Sequence, residues 1–124
     1  MRNPFVHVEL VSTDVAKVKS FYGKLFKWKL EDVDMGDMIY TLIKPGDGTG
    51  GGIMKNPVPG GHSMWIAYVK VGDVKAATRK AKSLGAKVKK DVTKVKGAGS
   101  LSIITDPTGA ILGLWEPKRK KKKS

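Results

Sequence analysis

Cysteine is absent from the 124 residues, which excludes disulfide staples, thiolate metal sites and cysteine nucleophiles. Histidine is scarce, with only His7 and His62. No apolar run approaches the roughly 18 residues needed to span a bilayer as a helix. The opening Met1-Arg2-Asn3-Pro4 leads straight into an alternating strand pattern, with no secretory hydrophobic stretch, so a cytoplasmic location is expected. Acidic side chains are few, 11 against 24 Lys and Arg, for a net charge of +13. The run from Lys118 to Lys123 supplies six of those charges and leaves about +7 on the remainder. Such an excess fits an anionic partner (nucleic acid or an anionic membrane) or a solvated, self-repelling surface, and the composition favours the second. No aromatic residue is interleaved in the tail beyond Trp115, so base stacking there is not suggested.

What is present is an internal repeat. Phe5 to Val11 and Met64 to Val71 are both extended apolar stretches, and each is followed by a helix-starting aspartate, Asp14 or Asp73. With those aspartates superposed, His7 falls over Ile66 and Glu9 over Tyr68. Val15, Val18, Tyr22 and Leu25, with Phe21 beside them, make a helical stripe, as do Val74, Ala77, Ala81 and Leu84 ahead of Gly85. Three extended segments follow each helix, at about 28–33, 38–44 and 51–55, then about 86–93, 100–105 and 110–115. Residues 47–54 superpose on 106–113, each with a Thr-Gly turn before a closing strand. Pro57-Val58-Pro59-Gly60-Gly61 separates the halves. The expected architecture is therefore α+β: two tandem βαβββ modules, 1–57 and 61–117, in a single domain with a basic tail at 118–124.

Two stretches carry a family resemblance. "HVELVSTDVAKVKSFYGKLFKW" and "DPTGAILGLWEPK" resemble the opening strand–helix and closing hairpin of the vicinal oxygen chelate superfamily of glyoxalases, bleomycin-resistance proteins and extradiol dioxygenases. The resemblance implies a curved sheet enclosing a cup, with helices outside, and a homodimer. In metal-dependent relatives four inward positions hold a divalent ion; here those positions are His7, Met54, Ile66 and Gly113. One imidazole among three side chains that offer no oxygen or nitrogen is not a divalent-metal site, so no metal and no other cofactor is expected. Glu9, on the same strand face as His7, is at most a weak second ligand, and Glu116 alternates to the opposite face from Gly113.

By repeat phase His7, Glu9, Met54, Ile66, Tyr68 and Trp115 should line the cup, a mostly apolar site with a few polar groups. His7 reads either as a hydrogen-bonding or acid–base group or as a residual ligand satisfied by Glu9. These two are the only catalytic candidates. Trp65 should face the helices, His62 should be a solvated loop residue, and Gly50-Gly51-Gly52, without a Lys-Ser/Thr ending, is a close-approach turn rather than a phosphate loop. The favoured function is binding of a hydrophobic or aromatic small molecule without a metal. The alternatives are a glyoxalase-like or dioxygenase-like enzyme on a small carbonyl or aromatic substrate, and an electrostatic module working through the tail.

Overall fold

The computed structural model describes residues 2–118, so of the basic tail only Lys118 lies within the described residues. The chain is α+β and contains the two expected βαβββ modules. The first comprises β1 (Phe5–Ser12), α1 (Val15–Leu25), β2 (Lys29–Asp34), β3 (Ile39–Lys44) and β4 (Gly51–Lys55). The second comprises β5 (Met64–Lys70), α2 (Val74–Ser83), β6 (Lys87–Val95), β7 (Gly99–Thr105) and β8 (Ile111–Pro117). No helix among the described residues is long and apolar enough to cross a membrane.

Both helices start where the sequence places them, and for the same reason. Asp14 and Asp73 sit in extended backbone and accept from the backbone N–H of Lys17 and Ala76, each at 3.0 Å. This satisfies one of the four N–H groups that a first helical turn leaves without partners. In α2 the Glu116 carboxylate accepts from Val74 N–H at 2.9 Å, placing a second negative group at that positive helix end. Leu84 closes α2, and Gly85 follows with φ 103°, a backbone state that a side chain resists.

In each module the closing strand lies between the opening strand and the third. β1 and β4 are parallel, with β3 antiparallel to β4 and β2 antiparallel to β3. β5 and β8 repeat the parallel pairing, with β7 on β8 and β6 on β7. The pairing corrects the superposition of residues 47–54 on 106–113. Glu9 faces Gly52, and its repeat mate Tyr68 faces Gly113, so Gly52 rather than Met54 is the equivalent of Gly113. Thr41 opposite Ile53 likewise matches Ser102 opposite Leu114. The extra residues of the second module lie between its helix and third strand. There β6 runs for nine residues against six in β2 and slips register twice against β7.

The packed units cut across the repeat: one is residues 7–67, the other residues 2–6 with 68–118. In the former, Leu10, Ile43 and Ile53 form a buried core against Val15, Val18, Tyr22, Trp28 and Leu30. Trp65 joins it edge-on to Tyr22 and Trp28, at 5.5 and 6.3 Å between ring centres, in keeping with its expected helix-side position. In the latter, Val71, Val74, Ile104 and Leu114 pack with Ala77 and Ala81, while Pro4 O accepts from Lys70 N–H at 2.9 Å. Three residues of the helical stripes fall outside these cores: Phe21, Leu25 and Leu84 are exposed. Leu25 ends α1 and Leu84 caps α2, while Phe21 lies one turn before the end of α1.

Ile53→Ala removes a side chain with no exposed surface from the middle of that core and should cost about 2–5 kcal/mol. Asp73→Ala should cost about 1 kcal/mol through the lost cap. Urea unfolding measures both, and the order of the two effects checks that packing dominates capping.

Candidate functional site

Alternation along β1 sends Leu10 into the core and leaves His7 and Glu9 on the other face of the strand. Opposite Glu9 lies Gly52 of β4, and opposite Gly52 lies Leu42 of β3, so Tyr40 shares the same face two residues earlier. A Cβ on Gly52 would overlap the hydroxyl, Cζ and Cε2 of Tyr40. The phenol ring therefore lies directly on bare backbone, a position that any other residue at 52 would deny it. Lying there, it delivers its hydroxyl between the two candidate polar groups, 2.8 Å from His7 Nε2 and 3.0 Å from Glu9 Oε1. The His7 and Tyr40 rings are 6.3 Å apart and 23° from parallel.

The direction of these bonds follows from proton accounting. A phenol carries one proton, and Tyr40 donates it to Glu9, so its oxygen accepts from His7 Nε2–H. In the neutral imidazole that assigns the lone pair to Nδ1. Burial lowers the His7 pKa and so favours this neutral form, while the nearby Glu9 charge works against the shift. Glu9 itself is only 7% exposed, and a buried carboxylate needs such donors.

The unit containing residues 68–118 repeats the glycine–aromatic device with different groups. A Cβ on Gly113 would overlap the ring of Tyr68, which is 2% exposed. Trp115, two residues on and partly buried, packs its ring edge against Gly99 of β7. Ile66 is buried, Met54 is partly buried on the Gly52 face of β4, and His62 is exposed in the loop, with its carbonyl accepting from Asn56. Of the six residues expected to line a site, the structure joins His7 and Glu9 in one hydrogen-bonded cluster. The residue joining them, Tyr40, was not legible as a site residue, because only the pairing of β3 with β4 puts it over Gly52. The glycine run was the one available signal.

A model of the Glyoxalase/Bleomycin resistance protein/Dioxygenase superfamily matches residues 5–114. The chain belongs to that superfamily. CFP32 of Mycobacterium tuberculosis, whose name marks it as a glyoxylase only provisionally, is 34% identical over 117 residues, which is 90% of this chain and 45% of that protein. The chain thus spans about half the length of the curated relatives it matches. Among solved structures, the hypothetical protein BH1468 from Bacillus halodurans C-125 superposes with a TM-score of 0.71 at 16% identity, covering 99% of this chain and 100% of its own. A methylmalonyl-CoA epimerase from Mycobacterium tuberculosis follows with 0.68 at 17% identity, covering 93% and 88%. At such identities the likeness is one of fold.

The divalent ion that the superfamily implies does not fit the residues present. His7 and Glu9 are already bridged by the Tyr40 hydroxyl, and the glycines at 52 and 113 have tyrosine rings where a ligand side chain would begin. No group of three or more His, Asp or Glu side chains among the described residues is close enough to hold an ion.

Two outcomes test this geometry. Gly52→Ala should destabilise the protein by about 1–3 kcal/mol through overlap with Tyr40, and much less when Tyr40→Ala is already present. A double-mutant cycle in urea measures the coupling, and additive effects would contradict the stacked ring. His7, followed by NMR of its ring carbons, should titrate below its ordinary 6.5, and further below in Glu9→Gln, which removes the opposing charge. Because its folded pKa is depressed, its contribution to stability should be full above pH 6.5 and lost as the pH falls from there toward the folded value.

Proposed function

We propose that the His7–Tyr40–Glu9 cluster is the polar end of a small-molecule site that works without a resident metal. The observation that carries this reading is the Tyr40 hydroxyl bridging His7 and Glu9 above Gly52. A partly buried polar cluster in which each bond is directional fixes the orientation of a ligand, and Leu42 and Met54, on the same face of β3 and β4, offer it an apolar surface. The ligand class that suits both is a hydrophobic or aromatic body carrying a carbonyl or hydroxyl. The names of CFP32, a provisional glyoxylase, and of the epimerase neighbour support a small carbonyl compound or a thioester as the group recognised.

A second reading rests on the same histidine. Partly desolvated and held toward its neutral form, the His7 imidazole is suited to general-base work such as removing a proton alpha to a carbonyl. Tyr40 and Glu9 would then hold the ring in place, the Tyr40 oxygen accepting a hydrogen bond from His7 Nε2–H while its own proton is donated to Glu9.

Ligand-observed NMR against phenols, quinones and small carbonyl compounds should find binders whose affinity falls about tenfold or more in Tyr40→Phe, since one partly buried hydrogen-bonding group is lost while the ring stays. Binding that is indifferent to both Tyr40→Phe and His7→Ala would place the site elsewhere. Deuterium uptake from solvent into a bound carbonyl compound, abolished in His7→Ala, would favour the catalytic reading over simple binding.

A further inference from the structure

The charge of the chain is segregated. Residues 1–57 carry 8 Lys and Arg against 7 Asp and Glu, whereas residues 61–117 carry 10 against 4. Eight of those ten lie on α2 and β6: Lys75, Arg79, Lys80, Lys82, Lys87, Lys89, Lys90 and Lys94, with Asp91 the single acid of the two elements. All eight are exposed, and none is ion-paired among the described residues; the pairs Lys19–Asp32 and Lys44–Glu31 belong to the first module.

The fold brings three of these charges onto one side of α2, beside a strand whose own four lysines are exposed. Lys75, Arg79 and Lys82 are four and three residues apart and so share a side of α2. That side borders β6, and the two elements enclose an open groove of about 370 Å³ lined by Lys75, Thr78, Arg79, Lys82, Asp91 and Val92. β6 is the edge strand of its module, so its outer side has no neighbouring strand there. Its two register slips, between Val88 and Lys90 and between Lys90 and Thr93, break the alternation that would otherwise turn one of Lys89 and Lys90 inward.

We infer that this α2–β6 face binds the phosphate backbone of duplex nucleic acid without reading its sequence. The length of the charged surface argues for a polymer. Nine strand residues extend over roughly 30 Å at about 3.3 Å each, whereas successive phosphates of one strand rise about 3.4 Å along a duplex. A single phosphate group would engage only a few of the cations. Residues 74–95 contain no aromatic side chain, which removes the stacking platform that single strands use. A membrane surface fits less well, because the apolar side of α2, with Val74, Ala77 and Ala81, is already packed in the core and cannot enter lipid.

Fluorescence anisotropy of the full chain with a labelled duplex of arbitrary sequence, titrated across about 50–200 mM salt, tests the inference. The wild type should bind at low salt, and the logarithm of affinity should fall linearly with that of salt concentration. The triple variant Lys75→Gln, Arg79→Gln, Lys82→Gln should lower the magnitude of that slope by about 2.7, at about 0.9 per phosphate contact removed. The same loss should appear in a chain ending at Pro117, which separates the face from the basic tail. An equal-charge control in the first module, Lys17→Gln, Lys24→Gln, Lys27→Gln, should change the slope far less. The inference is overturned by absence of duplex binding at low salt, by an equal loss in the control, or by binding that depends on residues after Pro117 alone. Capture by phosphatidylserine vesicles in preference to the duplex overturns it as well. All these variants change exposed side chains, and circular dichroism melting verifies that each is folded before binding is compared.

Discussion

The parallel pairing of each module's opening strand with its closing strand is the constraint on which the rest depends. It brings Glu9 opposite Gly52 and Tyr68 opposite Gly113. A glycine on the closing strand leaves a gap one side chain deep, and in each case a tyrosine ring occupies it. The two modules reach this arrangement differently. Tyr40 arrives from the third strand of the first module, whereas Tyr68 stands on the opening strand of the second. The duplicated backbone thus keeps one geometric feature while the side chains that use it diverge.

From that packing follows the electrostatic character of the polar cluster. Glu9 is nearly out of contact with solvent, and an uncompensated carboxylate there would cost several kcal/mol. The Tyr40 hydroxyl offsets part of that cost by donating to it, and by accepting from His7 it also holds the imidazole in one neutral tautomer. A ring in contact with the glycine backbone has little freedom to leave, so the hydroxyl is positioned by packing and not by its hydrogen bonds alone. Such preorganisation is what a small-molecule site needs, since less is lost in ordering it when a ligand arrives.

The surface obeys a different logic. In the first module acids and bases nearly balance, and half-buried Lys19 and exposed Lys44 find carboxylates on β2. Exposed pairs of this kind contribute little stability, about 0–1 kcal/mol each. In the second module the cations on α2 and β6 repel one another and weaken the fold slightly through that repulsion. The longer, irregular β6 separates them and turns them to solvent, and it is also the feature that shifts the second module's last strands relative to the first.

Much of the fold was legible in the residues. Alternation in Phe5 to Val11, the caps Asp14 and Asp73, the apolar stripes and the glycine turns are local signals, because each records which neighbours a residue has within one turn or one strand. They sufficed for element type, order and the α+β repeat, and for placing His7 and Glu9 on one strand face. The helix stripes overreached at Phe21, Leu25 and Leu84, since periodicity says which side a residue takes but not whether anything lies over it. The match of Met54 to Gly113 fails for a related reason: the Thr-Gly turns look alike, and the register slips in β6 that displace them leave no local mark. Tyr40 became a site residue only through the pairing of β3 with β4 and of β4 with β1, which brings it against Glu9, 31 residues away along the chain. The sequence by itself determined the elements and their chemistry; the tertiary structure decided which side chains meet, because strand register is set by pairing between distant segments that no local pattern encodes.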